Sequence, residues 1–332
     1  KSEMPICYVC SSKDDPGMAL THPRLHQFLV GDGAVRDWFF ANIDTRVMAM
    51  TMPDLHRYQV KRSKHPVHYV YVQHSLVSLH MVYRAGAFDH FDTVFCATRD
   101  HIKEIRALET QRGTSRKNIF EHGYSRLDNI LNKKSIQQSA PRIELEDSVH
   151  YLLAPSWGEN GTIETGTGAK IVTLLLDKGH KVTLRPHPQT LKFHEQAVQD
   201  IVVKHSENPR FNFEGSVEGH TSLLSSDVMI CDWSGAALEY AFGLEKPVLF
   251  IDLPRKVNNP DYYKIPLEPF EARIRSEIGT VIDPAKLEDL LSFEARPLRS
   301  NFASDYVFNL RNSDSVGANE ILRIVTEIEA KS

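Results

Sequence analysis

Several things are missing from this 332-residue chain, and each absence narrows the reading. No run of about 18 apolar residues occurs, which excludes a membrane-spanning helix. The chain opens Lys1-Ser2-Glu3, with neither an initiator methionine nor a signal-peptide pattern. Any upstream segment, a membrane anchor included, lies outside this reading. Cysteine is scarce, with only Cys7, Cys10, Cys96 and Cys231. Cys7 and Cys10 form a Cys-x-x-Cys, but no second pair follows at zinc spacing. Both sit in the apolar run Ile6-Cys7-Tyr8-Val9-Cys10, which reads as a buried strand. All four thiols are therefore expected to be structural and to suit a reducing cytosol. No Asp-x-Asp ends a strand, and the pairs His22/His26 and His65/His68 have no carboxylate partner, so no metal is expected. No glycine-rich loop closes on Gly-Lys-Ser/Thr, which excludes a Walker phosphate loop. No basic stripe interleaves with aromatics and the net charge is −4, which disfavours nucleic acid. There is no internal repeat and no low-complexity tract.

What is present is an ordinary globular composition, 41% apolar and 25% charged, in a chain too long for one comfortable core. Charge is uneven. Residues 1–150 hold 20 Lys and Arg against 17 Asp and Glu, while residues 151–332 hold 19 against 26. Eleven of the 16 histidines lie in the first part. The first half is thus the better candidate for an anionic partner, more so at mildly acid pH.

Short β-rich runs alternate with stretches of helical period, which predicts a parallel α/β architecture. In the first half strands are expected at 5–9, 47–51, 68–73, 93–96 and 118–120, and helices at 76–83 and 100–109. Residues 132–148 are polar and read as an interdomain linker. The second half is a cleaner βαβ series. Strands are expected at 149–154, 181–185, 228–231 and 247–251, and helices at 166–178, 192–203 and 234–242. Ile321, Ile324, Val325 and Ile328 give 315–330 the pattern of an amphipathic helix packing on the body. The expected layout is two Rossmann-like domains facing a cleft, the GT-B arrangement. Residues 1–135 would form the acceptor domain, 149–312 the nucleotide-donor domain, and 313–332 a helix packing back on the body.

Two loops carry most of the chemistry. Leu184-Arg185-Pro186-His187-Pro188 and Cys231-Asp232-Trp233-Ser234-Gly235…Glu239 each follow a strand, where open parallel sheets bind ligands. Arg185 and His187 supply cationic donors, and the Ser234-Gly235 helix start supplies free backbone N–H groups for phosphate. Ser234 equally suits a helix cap. Asp232 suits capping the same helix or orienting His187, and Arg185 suits pairing with an internal carboxylate. Ser156, Gly158, Gly161 and Thr162 form a small loop able to close over a nucleotide. The run Lys61-Arg62-Ser63-Lys64 reads as a solvated loop, with anionic headgroups as the alternative. His74 follows a strand and is read as beginning a helix, where a neutral imidazole can take a proton from a hydroxyl.

Five segments, in order, resemble the CDP-glycerol glycerophosphotransferase family of teichoic-acid and capsule polymerases. They are Tyr71-Val72-Gln73-His74-Ser75-Leu76, Gly123-Tyr124-Ser125-Arg126-Leu127-Asp128, Leu153-Ala154-Pro155-Ser156-Trp157, Arg185-Pro186-His187-Pro188 and Asp232-Trp233-Ser234-Gly235. The resemblance spans roughly 66–255. The family pattern has Gly-Thr after the catalytic histidine, where this chain has Ser75-Leu76. It has a second serine where Gly235 stands, and an aspartate where Glu239 stands. The long basic membrane-binding region of the polymerases is absent.

The resemblance implies a GT-B transferase with His74 as base and His187 as the second catalytic group. Arg185, Ser156, Gly158, Asp232, Ser234, Gly235 and Glu239 would hold nucleotide or phosphate, with Glu239 on the ribose. Arg126 and Ser75 would touch acceptor or phosphate. The donor would be CDP-linked and the acceptor a glycan or polyol phosphate, with CMP released and no cofactor. Peripheral membrane contact and a lipid-linked acceptor stay open, and the location would be cytoplasmic or at the inner face of the cell membrane. The alternatives are a GT-B glycosyltransferase using a CMP- or UDP-sugar, and a non-catalytic GT-B-like scaffold.

Overall fold

Every strand pairing within the sheets is parallel. The computed structural model describes residues 4–331 apart from 32, 59, 138–147, 217–218 and 295. In chain order the strands are β1 (Ile6–Cys10), β2 (Leu25–Leu29), β3 (Val47–Met50), β4 (His68–Val72), β5 (Thr93–Cys96) and β6 (Asn118–Glu121). They continue as β7 (His150–Leu153), β8 (Lys181–Leu184), β9 (Phe211–Phe213), β10 (Val228–Cys231), β11 (Val248–Ile251) and β12 (Gly279–Ile282). Three sheets result: β1-β2, β3-β4-β5-β6, and β12-β11-β10-β7-β8-β9. The last order reverses between β7 and β10, the place where open α/β sheets take ligands. All residues of β5, β7, β10 and β11 are buried, as parallel strands covered on both faces must be.

Side-chain alternation distributes the core. Tyr69 and Tyr71 of β4 face one cluster that also contains Leu152, Met229, Tyr240 and Phe242, so the two large sheets share a continuous core. Val70 and Phe95 face the other way and meet Ile324. The Ser313–Glu329 helix thus packs on the outer face of the four-stranded sheet, with Ile321 and Ile328 against the same cluster. A further cluster, with Ile171, Leu175, Val182 and Ile230, covers the outer face of the six-stranded sheet.

The Ser125–Gln137 helix and the Gly235–Leu244 helix pack closely. A Cβ added at Gly243 would come within 2.5 Å of Ile130 Cγ2, so only glycine permits the approach. The first six residues of the expected linker, 132–137, belong to the former helix, and 138–147 lie outside the described residues.

Three other expectations are corrected. The strand β1 is not buried: Ile6 and Cys7 are exposed and Cys10 is half-buried. The helix expected at 192–203 divides at His194 into Pro188–Phe193 and Glu195–His205. Pro188 starts the earlier helix, and the His187 ring caps it by accepting from Gln189 N–H at 3.1 Å.

No helix forms at 76–83; the segment is an irregular, buried run. Its backbone is satisfied from outside. Ser78 N–H donates to Glu271 at 2.7 Å and Leu79 N–H to Glu104 at 2.6 Å. The carbonyl of Val77 meets His101 Nε2 at 3.1 Å, and that of His80 accepts from Asn259 Nδ2 at 2.8 Å. Buried backbone needs partners, and here distant side chains replace the helical ladder. The edge strands β9 and β12, the strand β2 and the helices Ala34–Asn42, Ser125–Gln137 and Phe270–Ile278 have no counterpart among the expected elements.

Candidate functional site

His74 stands just beyond the carboxyl end of β4, on the cleft side. Its Nδ1 lies 3.0 Å from Tyr71 Oη and its Nε2 a longer 3.4 Å from Tyr83 Oη. The Tyr71 hydroxyl is also hydrogen-bonded to Tyr83, a contact that raises the Tyr71 pKa further above the value set by burial. If Tyr71 gives its single proton to Tyr83, its oxygen accepts from His74 Nδ1–H, which leaves Nε2 as the basic nitrogen. His74 is solvent-accessible, yet the protein around it lowers its pKa by desolvation, partly offset by a hydrogen bond that the ring donates to the Thr51 backbone carbonyl and by the Glu239 charge. The imidazole is therefore neutral near pH 7.

A hydrogen-bond chain ties this histidine to the other half. Tyr124 Oη lies 2.8 Å from the His74 carbonyl oxygen and 2.7 Å from Glu239 Oε1. Arg126 Nε donates to Glu239 Oε2 at 2.7 Å. Glu239 is 6% exposed, so both of its oxygens are engaged across the junction in this structure.

Ser234 caps the Gly235–Leu244 helix, its hydroxyl accepting from Ala236 N–H at 3.3 Å. A Cβ at Gly235 would lie 2.6 Å from Ser75 Oγ. The two departures from the family pattern therefore meet. In the resemblance, serine at 75 stands where the pattern has glycine and glycine at 235 where it has serine, and the two positions share one contact. Gly235→Ser alone is expected to crowd Ser75 and cost about 1–3 kcal/mol. Adding Ser75→Gly should restore most of it, read as coupling in a double-mutant cycle of melting temperature and turnover. Additive losses would sink the compensation.

Asp232 is corrected in role. It neither caps the helix nor touches His187. Its Oδ1 accepts from Ser156 N–H and Trp233 N–H, both at 2.7 Å. Its Oδ2 accepts from Thr162 N–H at 3.0 Å and Thr162 Oγ1 at 2.8 Å. At 2% exposure, this carboxylate pins both ends of the loop that follows β7. Ser156 is buried within that loop, and Gly158 takes φ 127°, a conformation that suits glycine.

Arg185 is also corrected. It is 4% exposed, pairs with Glu214 at 3.5 Å and donates to the Gly219 carbonyl at 3.0 Å. Its guanidinium braces the segment after β9 rather than presenting a fork to the cleft. Beside it, Lys133 Nζ lies 2.9 Å from His220 Nδ1.

His187 keeps its place beside the loop, but not as a protonated donor. Burial, reinforced by the Lys256 charge, holds its pKa down to about 4. With Nδ1 accepting from Gln189 N–H, the neutral ring carries its proton on Nε2. Lys256 was missed in the sequence. Its Nζ lies 4.3 Å from the Trp157 ring centroid, and Trp157 in turn lies 6.0 Å from the His187 ring. Burial lowers the Lys256 pKa to about 8, against the opposing pull of Asp232 and Glu164. No group of three metal-ligating side chains occurs among the described residues.

Ser156, Trp157, His187, Asp232 and Lys256 thus gather about the loop after β7, while His74, Ser75, Tyr124, Arg126 and Glu239 gather where the His74 segment meets the Gly235–Leu244 helix. The chain matches the family model for CDP-glycerol:poly(glycerophosphate) glycerophosphotransferase over residues 79–257, more than half its length. It belongs to this family. His74 and Ser75 fall just before the matched stretch. The family is one of transferases. No curated protein matches the chain.

Among solved structures, the chain is similar to UDP-GlcNAc 2-epimerase of Methanocaldococcus jannaschii in complex with UDP-GlcNAc and UDP. The identity is 13%, the TM-score 0.54, and the match covers 93% of this chain and 86% of that one. A second structure of that epimerase gives 14% identity, a TM-score of 0.50, and coverage of 94% and 88%. These likenesses establish the fold of this glycerophosphotransferase-family chain, the GT-B arrangement of parallel α/β sheets. No helix among its described residues is long and apolar enough to cross a membrane.

Proposed function

We propose that this family member transfers a polyol phosphate, glycerol phosphate in the first instance, from a CDP-linked donor to a hydroxyl of a teichoic-acid-like or cell-surface glycan acceptor. Residues 1–135 would receive the acceptor and 149–312 the nucleotide, at the inner face of the cell membrane. The observation that carries the reading is the contact between the His74-Ser75 segment and the Gly235 helix start. It supports a reading in which the His74 imidazole serves as base next to a helix N-terminus that would hold phosphate, in a chain of this family.

In this reading the acceptor oxygen attacks the phosphorus that carries the polyol, and its proton passes to His74 Nε2. The bond from that phosphorus to the bridging oxygen breaks, and CMP leaves with the electron pair. Such transfer is mostly positioning and charge stabilisation. Lys256 and the Nε2–H of His187 would face the diphosphate, with first-turn N–H groups of the Gly235–Leu244 helix opposite. Asp232 would hold the loop in register, and Glu239 would exchange Arg126 or Tyr124 for the ribose hydroxyls.

The Lys256 ammonium is charged below about pH 8 and neutral above it. Donor affinity should therefore weaken as pH rises through about 8, and Lys256→Met should raise the donor KM by about tenfold and flatten that dependence. An unchanged KM and pH profile would remove Lys256 from the donor site.

The reading is tested by incubating the protein with CDP-glycerol, CDP-ribitol and a panel of CMP-, UDP- and GDP-sugars, with glycerol-phosphate and glycan acceptors, and measuring released nucleotide. CMP release from a CDP-polyol is expected. Turnover only with a nucleotide sugar would replace phosphoryl transfer by attack on an anomeric carbon. No turnover with any pair would leave a non-catalytic scaffold.

A further inference from the structure

The four-stranded sheet carries a second recess, at its other end from His74. His74 and Gly123 follow the carboxyl ends of β4 and β6, whereas this recess opens where Thr93 and Asn118 begin β5 and β6. It holds about 380 Å³, and Arg106, Arg116, Lys117, Asn118, Glu320 and Arg323 are among the residues that line it. A volume in this range suits a small charged group.

Four cations thus surround one carboxylate. Two of them are already satisfied. Arg106 donates to both Glu109 oxygens, at 3.0 and 2.8 Å, and Arg323 pairs with Glu320 and Glu327. The other two are not. Among the described residues, Arg116 is exposed and has no carboxylate in salt-bridge reach. Lys117 is only 5% exposed, and its ammonium reaches nothing nearer than the Ser115 carbonyl, at 3.5 Å. Burial lowers the Lys117 pKa, against the opposing pull of the Glu109, Asp89 and Asp92 charges. Among the described residues Lys117 forms no ion pair, and Arg116 is exposed beside it, so an anion entering the recess would meet both. No element of the site described above uses any of these residues.

We propose that this recess binds a phosphodiester of the polyanionic acceptor chain, away from the end being extended. The inference rests on the transfer reading above for the identity of that chain. A recess between two strand starts and the C-terminal helix suits a threaded chain better than the flat face of a bilayer. Its position at the far end of the sheet means that only an extended polymer can occupy it and the cleft together.

The test uses the full chain with Arg116→Glu combined with Arg323→Gln, both at exposed positions, checked by melting temperature. The probes are a fluorescent oligo(glycerol phosphate), glycerol 3-phosphate, and phosphatidylglycerol vesicles. The variant should bind the oligomer about tenfold more weakly, with a shallower dependence on salt. CMP release from CDP-glycerol with glycerol 3-phosphate as acceptor should not change. Equal oligomer binding and equal salt dependence in the two proteins would overturn the proposal. So would loss of vesicle binding with oligomer binding intact, since that would make the recess a lipid site. Failure of the wild type to release CMP in every arm would instead sink the transfer reading, and the binding arm would still decide whether the recess holds phosphodiesters.

Discussion

His74→Ala is expected to lower CMP release from CDP-glycerol by roughly 10²–10⁴-fold, the usual contribution of a positioned general base. Melting temperature should fall only a little, because the ring is solvent-accessible and the buried Tyr71 and Tyr83 hydroxyls that it meets still bond each other. The wild-type pH profile adds a second check. Desolvation lowers the His74 pKa from the ordinary histidine value, so the base is free throughout neutral pH and becomes protonated only in a more acid range. The rate should hold through neutral pH and fall only as pH drops beneath the ordinary histidine value. In His74→Ala this acid limb should vanish. Tyr71→Phe removes the hydroxyl that meets Nδ1, so the acid limb should shift and kcat should fall with little change in donor KM. A merely structural tyrosine would cost stability and leave the limb in place. Full turnover in His74→Ala would exclude this residue as the base.

The strands β5 and β10 fall where apolar runs predict them, to the residue, because parallel strands buried on both faces leave a continuous signature. The segment 76–83 misleads for the same reason. It is apolar apart from Ser78 and His80, and its sequence gives no sign that Glu104, His101, Asn259 and Glu271 will supply its backbone partners. Those four come from as far as 193 positions away along the chain.

The site divides along similar lines. Residue types at strand ends pointed to His74, His187 and Asp232, but the roles of His187 and Asp232 depend on contacts that no spacing encodes. Arg185 has the right chemistry for phosphate, yet Glu214 and the Gly219 carbonyl take up its guanidinium. Lys256 sits in a loop without periodicity, and only the packing of its ammonium on Trp157 brings it to the site. Ser75 and Gly235 look like two separate departures in the sequence, and they prove to share one contact once the helix start is seen against the His74 segment.

Asp232→Ala should be the most damaging single change for the donor loop, and it separates organisation from chemistry. Four bonds converge on this one buried carboxylate, three of them from backbone N–H groups. Removing it leaves those donors without acceptors in a site 2% exposed, at a cost of about 3–4 kcal/mol. Melting temperature should fall by several degrees. Asp232→Asn discriminates further. An amide keeps the size but offers one oxygen, and its NH₂ group would face N–H donors where a carboxylate oxygen now accepts. It should lose nearly as much stability as alanine does. In turnover, the loosened Ser156–Thr162 loop should raise the donor KM, while the acid limb assigned to His74 stays where it was, because no Asp232 bond reaches that histidine. If Asp232→Asn is as stable and as active as the wild type, the carboxylate is not what holds the loop. If instead the acid limb moves with it, Asp232 and His74 are coupled through a path other than the one these hydrogen bonds trace.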